Sequence, residues 1–373
     1  MKLLLSGGGT GGHIYPAIAI AEEFKRRYPD GEVAFVGSPR GIENKLIPQN
    51  GYKLYTVDIM GISRKEILKN VKVFGKILKS MNEAKSLLRK YNPDIVIGTG
   101  GYASWPCVKM ASQMGIPTCI VEQDAFPGIA TRQLSKCADR IFISFEKTRE
   151  YLKGKTKKNA QIILSGNPLR PNFATADKDA ARAKLGITKP YILSLGGSLG
   201  ALKINECMLD VMQDYSSTHD VIHLHSCGSR DYKEIKAKYS EKGLDKYRNL
   251  TLLEYIYDMP DRMAAADLVI NRSGAITLAE LAMLGKPCIL IPSPNVTADH
   301  QYKNAKVLAD ADAAVLIKDD DLNPELLANA IDRIISSKER QKTMSENISK
   351  FAHPDSLSKI LDEAEKLIKE KRK

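Results

Sequence analysis

Five glycines and a histidine stand together near the start of the chain, in the segment Gly7-Gly8-Gly9-Thr10-Gly11-Gly12-His13. They follow the apolar run Leu3-Leu4-Leu5 and precede a helical pattern from Pro16 to Arg27. A glycine-rich turn lets the backbone approach an oxygen-rich ligand closely, and N–H groups at a helix start attract anions. The segment is therefore predicted to bind an anion beside the titratable His13, although an ordinary strand-to-helix turn is the alternative.

Three further loops of similar character follow predicted strands, at residues 98–101, 196–201 and 271–274. Two nucleotide-binding signatures do not fit them. Gly7, Gly9 and Gly12 have the spacing of a dinucleotide fingerprint, but the second strand ends at Gly37 without the acidic residue that binds a ribose. No Gly-Lys-Ser/Thr follows any of these loops, which excludes a Walker P-loop. The loops therefore favour two anionic substrates over one dinucleotide.

Composition indicates a globular chain of two domains. It has 373 residues, of which 43% are hydrophobic and 27% charged. Its six cysteines are scattered singly, as expected in a reducing cytosol. We expect no signal peptide, because Met1-Lys2 leads straight into a predicted strand and the glycine loop. We expect no membrane-spanning segment, because no apolar run approaches about 18 residues. The predicted location is the cytosol or the cytosolic face of a membrane.

Twelve short runs rich in Val, Ile and Leu, separated by helical stretches, predict buried parallel strands. The predicted strands are 2–5, 33–37, 95–98, 118–121, 140–144, 162–164, 191–195, 221–225, 250–253, 268–270, 288–291 and 314–317. The glycine loops after the first and seventh runs correspond, as do the Gly-x-Pro turns at 115–117 and 285–287. This pattern predicts an α/β architecture of two doubly wound parallel-sheet domains, joined near Ser165-Gly166-Asn167-Pro168.

A basic amphipathic segment precedes the third predicted strand. The net charge of the chain is +12, and residues 64–91 hold nine Lys and Arg against two Glu. Apolar residues recur there at helical spacing, from Ile67 to Leu88. The segment could therefore be a membrane-surface helix or a domain helix with a solvated face, and the sequence leaves both interpretations open. We exclude nucleic acid as a partner, because interleaved stacking aromatics are lacking. The predicted membrane contacts are Lys69, Lys72, Phe74, Lys76 and Leu78.

The segment Arg272–Glu280 offers a second candidate contact with a nucleotide. It follows a predicted strand and enters a helix, so Glu280 could accept two ribose hydroxyls, or be an exposed helix residue. Tyr255-Ile256, after another predicted strand, could flank a flat base. At the end of the chain, an apolar stripe from Leu357 to Ile368 predicts a helix that packs on one of the domains.

Together these motifs resemble the MurG family, the N-acetylglucosaminyltransferases that convert lipid I to lipid II in peptidoglycan synthesis. The resemblance spans nearly the whole chain and keeps the family's motif order. The motifs that carry it are Gly-Gly-Thr-Gly-Gly-His (8–13), Gly-Thr-Gly-Gly-Tyr (98–102), Glu-Gln-Asp (122–124), Gly-Asn-Pro-Leu-Arg (166–170), Gly-Gly-Ser-Leu-Gly-Ala (196–201), Arg-Ser-Gly-Ala-Ile-Thr-Leu-Ala-Glu (272–280) and His-Gln-Tyr-Lys-Asn-Ala (300–305).

The resemblance implies a GT-B fold, in which two Rossmann-like domains face an interdomain cleft. Residues 1–165 would form an acceptor and membrane-facing domain, 166–350 a UDP-sugar domain, and 351–373 a helix returning to the first domain. The implied donor-binding residues are Thr10, Gly11, Gly12, Asp124, Arg170, Ser198, Ile256, Ala275, Ile276, Thr277, Leu278, Ala279, Glu280 and Gln301. Gly100, Gly101 and Tyr102 would face the acceptor diphosphate.

Two positions depart from the family pattern. Asp124 stands where the family commonly has Asn, which adds negative charge near a diphosphate. Leu199 replaces a Gln, which removes a polar side chain but leaves the backbone N–H groups.

The implied reaction is an inverting hexosyl transfer from UDP-N-acetylglucosamine to the C4 hydroxyl of lipid I, at the anionic cytosolic membrane surface. His13 is the candidate general base by its position. We expect no metal or other cofactor, because Asp310/Asp312 and Asp319/Asp321 do not follow strands that end at the site. The alternatives are a UDP-N-acetylglucosamine 2-epimerase of similar fold, which needs no lipid acceptor, and a basic binding protein without catalysis.

Overall fold

The computed structural model describes residues 1–59, 70–197 and 199–372, except for the side chains of residues 70–74 and 76. The chain forms two compact units, one of residues 1–170 with 353–373 and the other of residues 171–352. The sequence places the junction at 165/166, five residues earlier, where the last predicted strand of the first half ends.

The described part of the first unit is built on a seven-stranded parallel sheet of order β3-β2-β1-β4-β5-β6-β7. Its strands are β1 Lys2–Gly7, β2 Glu32–Gly37, β3 Lys53–Thr56, β4 Ile95–Gly100, β5 Thr118–Glu122, β6 Arg140–Ile143 and β7 Gln161–Leu164. Helices between them are α1 Gly11–Arg27, α2 Glu43–Gln49, α3 Asn70–Tyr91, α4 Ser104–Gln113, α5 Ile129–Leu134 and α6 Lys147–Leu152.

The second unit holds a six-stranded parallel sheet of order β10-β9-β8-β11-β12-β13 within the described residues. Its strands are β8 Tyr191–Leu195, β9 Ile222–Ser226, β10 Leu250–Leu253, β11 Leu268–Asn271, β12 Cys288–Leu290 and β13 Val315–Leu316. Its helices are α7 Pro171–Ala174, α8 Lys178–Leu185, α9 Leu202–Val211, α10 Tyr232–Glu241, α11 Met259–Ala265, α12 Ala275–Met283, α13 His300–Asp310, α14 Pro324–Ile335 and α15 Lys338–Ser349. A π-helical stretch, Met212–Ser216, continues α9, and 3₁₀ turns form at Leu244–Lys246 and Thr297–Asp299.

The strand order explains where ligands can bind. In each sheet, strand order reverses beside the first strand of the unit, with β1 between β2 and β4 and β8 between β9 and β11. Open parallel sheets bind ligands beyond the carboxyl ends of their strands at such a switch point. The glycine-bearing loops after β1, β4, β8 and β11 all begin at these ends.

Two sequence predictions about local structure were wrong. The strand β3 was missed because it is an edge strand whose residues are exposed or half-buried, so it carries no apolar run. Helix α1 begins at Gly11 and not at Pro16, because Thr10, with extended backbone angles, ends the turn and Pro16 is accommodated inside the helix.

The last helix, α16 Ser356–Arg372, belongs to the first unit. Its buried residues Ile360, Leu361 and Leu367 join a core with Leu5 of β1 and Phe24 of α1. Ion pairs add to this contact. Arg27 pairs with Asp362 and Glu365 of the helix, Arg140 pairs with its Glu363 and Glu370, and the helix residues Lys371 and Arg372 pair with Asp139 and Asp94. The predicted apolar stripe is therefore the contact surface of this helix.

No helix among the described residues is long and apolar enough to cross a membrane.

Candidate active site

The first two glycine loops of unit 1 meet at the ends of β1 and β4. Gly7 pairs with Gly100 in the sheet, and Gly101, at φ 79°, lies against Gly8. A Cβ on Gly101 would come within 2.2 Å of the Gly8 carbonyl oxygen, so only glycine fits this approach. The predicted acceptor residues Gly100 and Gly101 are thus in backbone contact with the loop that carries His13, while the Tyr102 side chain is 61% exposed.

His13 lies in the first turn of α1, and hydrogen bonds fix both its side chain and its backbone carbonyl. Its Nδ1 is 3.0 Å from the Gly8 carbonyl oxygen and 3.3 Å from Thr10 Oγ1. Since a carbonyl only accepts, Nδ1 carries the hydrogen and the ring lone pair is on Nε2. Thr99 Oγ1 donates to the His13 backbone carbonyl over 2.9 Å, which ties α1 to the end of β4. The Nδ1–H tautomer of His13 leaves a lone pair on Nε2, and a general base needs such a lone pair to accept a proton.

A buried carboxylate that the sequence analysis missed organises the same loop. Glu43, on α2, is fully buried and accepts bonds from Gly9 N–H (3.0 Å), Ser38 N–H (2.8 Å) and Ser38 Oγ (2.8 Å). Burial opposes ionisation, but these hydrogen bonds offset it and lower the pKa of Glu43. Gly9 N–H is thus committed to Glu43, so the predicted anion binding by this loop would rest on the first N–H groups of α1.

The Glu-Gln-Asp segment forms a turn at the end of β5. Glu122 is buried and accepts from the backbone N–H groups of Asp124 (3.0 Å) and Gly128 (2.9 Å). Burial, and then the negative charge of Asp124, raise the pKa of Glu122 to about 7. Gln123 Nε2 donates to the Thr99 carbonyl over 2.8 Å, so this turn also supports the β4 loop.

Arg170, at the end of the first unit, is exposed and stacks on Tyr15 of α1, with its guanidinium carbon 5.5 Å from the ring centroid. Thr10, Gly11 and Gly12 are exposed or half-buried at the start of α1. The structure therefore brings these four predicted donor residues to the N-terminal part of one helix.

In unit 2, the residues predicted to bind the nucleotide open helix α12. Its first six residues are Ala275, Ile276, Thr277, Leu278, Ala279 and Glu280, and a three-residue loop separates them from the end of β11. Ala275 and Leu278 are buried in the unit, whereas Ile276, Thr277 and Glu280 are half-buried. The helix start and one face of its first two turns remain accessible to a ligand.

Two neighbouring loops fix the position of Gln301, a predicted donor residue. Its Oε1 accepts from Ser293 N–H (2.9 Å), and its carbonyl accepts from Ser273 Oγ (2.9 Å). Arg272, in contrast, is occupied: it donates to the Ile291 and Pro292 carbonyls and pairs with Asp319 at 2.5 Å. Arg272 therefore braces the loops after β11 and β12.

Ile256, predicted to contact the base, has a buried side chain (3% exposed) between Tyr255 and Tyr257, which are 42% and 91% exposed. The surface exposed at this position is therefore that of the two flanking tyrosines. Ser198 lies outside the described residues. Its neighbour Leu199, one of the two departures from the family pattern, is 66% exposed.

Of the predicted membrane residues, Lys69 lies outside the described residues, as do the side chains of Lys72, Phe74 and Lys76. Leu78, on α3, is 51% exposed. Ala84 and Leu88, further along the same stripe, are buried in the unit 1 core. The apolar stripe of α3 is thus divided between core and surface.

Comparison with known proteins identifies the family. The N-terminal and C-terminal domain models of glycosyltransferase family 28 match residues 3–143 and 191–360. A UDP-N-acetylglucosamine--N-acetylmuramyl-(pentapeptide) pyrophosphoryl-undecaprenol N-acetylglucosamine transferase from Desulforamulus reducens is 40% identical, over 99% of each chain.

Solved structures agree. The crystal structure of Acinetobacter baumannii MurG matches with a TM-score of 0.78 and 27% identity, over 98% of this chain and 99% of that one. A UDP-GlcNAc 2-epimerase from Neisseria meningitidis shares the fold alone, with a TM-score of 0.65 and 16% identity over 97% and 99% of the chains. Both domain models and a relative at 40% identity over nearly the full length place this chain in the MurG family, within glycosyltransferase family 28.

Proposed function

We propose that the chain transfers N-acetylglucosamine from UDP-N-acetylglucosamine to the C4 hydroxyl of lipid I, a step of peptidoglycan synthesis. The observation that carries this is the 40% identity, over 99% of both chains, with a transferase whose name states this donor and acceptor. The glycine-bearing loops at the switch points of both sheets support it. The likeness to an epimerase at 16% identity concerns the fold only and does not favour that activity.

In the proposed reaction the acceptor oxygen attacks the anomeric carbon, and the bond from that carbon to the diphosphate oxygen breaks. The electron pair leaves with UDP, and one displacement inverts the carbon to give a β1→4 bond. His13 accepts the hydroxyl proton at Nε2, since its Nδ1 hydrogen is committed to the Gly8 carbonyl. Arg170, Ser198 and N–H groups at helix starts stabilise the leaving diphosphate.

We propose that this transfer needs no metal or other cofactor. Three of the four aspartates in the Asp-x-Asp pairs already face cations. Asp310 pairs with Lys306 at 2.8 Å, Asp312 with Arg340 at 2.7 Å, and Asp319 with Arg272 at 2.5 Å. These carboxylates therefore stabilise the fold of unit 2, and cationic and N–H groups carry the diphosphate charge.

Radiolabelled UDP-N-acetylglucosamine tests the assignment when it is incubated with and without a short-chain lipid I analogue, in EDTA and in Mg²⁺. We expect UDP release and labelled disaccharide product only with the analogue, at similar rates in both buffers. UDP release without an acceptor, or donor epimerisation, would contradict the transferase assignment. A rate that requires Mg²⁺ would contradict the metal-free part alone.

His13→Ala should lower kcat by roughly 10²–10⁴ and leave the donor dissociation constant near wild type, because a base acts only in the chemical step. His219→Ala is the matched control, since it removes an exposed histidine of unit 2 that is not among the predicted site residues and should leave kcat and the donor dissociation constant near wild type. A His13→Ala enzyme with wild-type kcat and pH profile would show that the base lies elsewhere.

We further propose that the first unit binds the anionic cytosolic membrane surface peripherally through α3 and the basic residues before it. Residues 64–91 hold nine cations and two Glu, and Leu78 is exposed on the same helix. Each cation near an anionic surface contributes about 1 kcal/mol. Lys79 contributes less, because Asp58 and Glu83 lie 3.4 and 3.6 Å from its Nζ.

Reversing Lys69, Lys72 and Lys76 to Glu should weaken binding to anionic vesicles by about 100-fold or more, most strongly at low salt. The matched control reverses Lys233, Lys246 and Lys350, three exposed lysines of unit 2, and changes the net charge equally. Activity on a water-soluble acceptor should be preserved in both. If the two triple variants float equally well with vesicles, α3 is only a domain helix.

A further inference from the structure

A chain of buried polar side chains runs through the core of unit 2. His223 and His225 on β9, Ser194 on β8, Ser216 after α9 and Asn205 on α9 are all fully buried. Ser194 Oγ lies 2.8 Å from His223 Nε2 and 2.9 Å from His225 Nδ1. Ser216 Oγ is 2.8 Å from His223 Nδ1, and Asn205 Oδ1 is 3.1 Å from His225 Nε2.

The direction of every hydrogen bond in this chain follows from its last member. Asn205 Nδ2 donates to the Cys227 carbonyl over 2.9 Å, so Oδ1 must face His225 and accept from its Nε2–H. His225 Nδ1 then accepts from the Ser194 hydroxyl. That hydroxyl oxygen accepts from His223 Nε2–H, and His223 Nδ1 accepts from Ser216. Each ring is thereby a neutral Nε2–H tautomer.

The protonation states agree with this pattern. Burial lowers the pKa of His223 to about 3, with a smaller contribution from His225, and burial lowers that of His225 to about 4. Both rings are therefore neutral at physiological pH, and each donates once and accepts once. A fully satisfied buried network is rigid and specifies one arrangement of its members.

Asn205, the last member of this hydrogen-bonded network, lies against the glycine loop after β8. A Cβ on Gly196 would be 3.2 Å from Asn205 Oδ1, and a Cβ on Gly200 would be 2.2 Å from the Cys227 carbonyl oxygen. Gly196 N–H donates to the Ser226 carbonyl (3.3 Å), and Arg230 N–H to that of Leu199 (3.4 Å). The β8–α9 loop therefore rests on the β9–α10 loop. Asn205, whose backbone N–H donates to the Ala201 carbonyl (2.9 Å), ties the start of α9 to Cys227.

We propose that Asn205 is a positioning residue for the donor diphosphate, held by the Ser216–His223–Ser194–His225 chain in the one orientation that fixes the β8–α9 loop. The inference rests on the proposed function, in which this loop binds the UDP diphosphate. The N–H groups at the start of α9 can meet phosphate oxygens only while Asn205 keeps this start in place against Cys227. The hydrogen-bonded network in the core of the sheet thus affects donor affinity, although none of its members contacts the donor.

The first test reads the tautomers of the wild-type protein from imidazole ¹⁵N chemical shifts. We expect His223 and His225 both to carry hydrogen on Nε2 at neutral pH. An Nδ1–H tautomer at His225 would overturn the proposed order of donors and acceptors. This measurement needs neither a variant nor activity.

The second test measures UDP binding by titration calorimetry with Asn205→Asp. The carboxylate cannot donate to the Cys227 carbonyl, so the start of α9 loses its hydrogen bond to the β9–α10 loop. We expect the UDP dissociation constant to rise roughly ten- to a hundred-fold, as for a sub-ångström to ångström displacement of a binding group. The ring of His225, facing a carboxylate, should also gain a proton at a higher pH, visible in the same ¹⁵N spectra.

Ser216→Ala is the matched control, because it removes a buried hydroxyl at the other end of the chain and leaves the His225–Asn205 contact. It should lower stability, and it should raise the UDP dissociation constant much less than Asn205→Asp does, because the Asn205–Cys227 contact is retained. If the folded Asn205→Asp protein binds UDP like wild type, the positioning role is refuted while the donor assignment stands. If the wild-type protein itself does not bind UDP, the donor assignment fails and the inference fails with it.

Discussion

Glu43→Gln tests whether a buried carboxylate holds the glycine loop of unit 1. Oε1 of Glu43 accepts both bonds from Ser38 and Oε2 accepts the bond from Gly9. In glutamine, the oxygen can satisfy Ser38, but the NH₂ group then faces Gly9 N–H, donor against donor. A hydrogen bond to a charged group contributes about 1.5–3 kcal/mol, and a buried unpaired donor costs about 1–3 kcal/mol. Because a neutral amide is cheaper to bury, we expect a net loss of about 2–4 kcal/mol.

The chain offers a probe for this unit alone. Trp105, on α4 of unit 1, is its only tryptophan. Urea unfolding followed by Trp105 fluorescence therefore reports the free energy of unfolding of unit 1. The matched control is Glu32→Gln, which removes an exposed ion pair with Lys2 (3.0 Å) and should cost less than about 1 kcal/mol.

The pH dependence of the Glu43→Gln effect gives an independent check. The hydrogen bonds place the folded pKa of Glu43 below its ordinary value of 4.5. Its ionised form therefore stabilises the fold above the unfolded pKa, and this contribution is lost as the pH falls through the folded pKa. The difference between wild type and Glu43→Gln should be full at pH 7 and should shrink below about pH 4.5.

Activity completes the test, because Gly8, next to Gly9, supplies the carbonyl that orients His13. We expect kcat of Glu43→Gln to fall while UDP binding by unit 2 is unchanged. Equal unfolding free energies for wild type, Glu43→Gln and Glu32→Gln would refute the reasoning. So would a difference between wild type and Glu43→Gln that does not depend on pH.

Two further predictions concern unit 2. Glu280→Ala should weaken donor binding by about 1–3 kcal/mol, because the carboxylate that is proposed to accept hydrogen bonds from the ribose hydroxyls is lost, and it should leave acceptor KM unchanged. Titration calorimetry with UDP checks this, with Glu325→Ala, at an exposed glutamate of α14, as the control. Because burial keeps His223 and His225 neutral when folded, the unfolded chain binds protons near pH 6.5 that the folded unit does not. The unfolding free energy of unit 2 should therefore fall as the pH drops from about 6.5 towards 4, by up to about 1.4 kcal/mol per pH unit for each ring. Circular dichroism beside Trp105 fluorescence separates this transition from that of unit 1, and a flat profile would contradict the neutral histidines.

Much of the fold could be predicted because buried parallel strands leave a local signal. All twelve predicted strands form, with ends that differ by at most two residues, since each is a short apolar run between helical stretches. The missed strand β3 shows the limit of this signal. Lys53-Leu54-Tyr55-Thr56 reads as a polar stretch, and only its pairing with β2 at the sheet edge makes it a strand.

The site could be predicted where the residues that bind a ligand and the glycines that shape the turn stand next to each other in the sequence. The glycine loops and the α12 start are contiguous in sequence, so their spacing shows them. Glu43 and Asn205 carry no such signal, because their partners are distant in the chain: Glu43 is 34 residues from Gly9, and Asn205 is 22 residues from Cys227. Buried polar contacts of this kind are decided by tertiary packing, which local patterns do not encode.

Asp124 shows how the surroundings decide what a sequence departure means. Read alone, an aspartate in place of asparagine adds a negative charge beside a diphosphate. In the fold its N–H donates to Glu122, and its carbonyl accepts from Thr148 Oγ1 over 3.0 Å. Burial and the Asp124 charge together raise the pKa of Glu122 to about 7, so a proton on this pair of carboxyl groups partly neutralises the added charge near neutral pH. Aspartate at position 124 is therefore compatible with an anionic ligand at the end of β5, because the buried Glu122 can take up a proton and so offset the added negative charge.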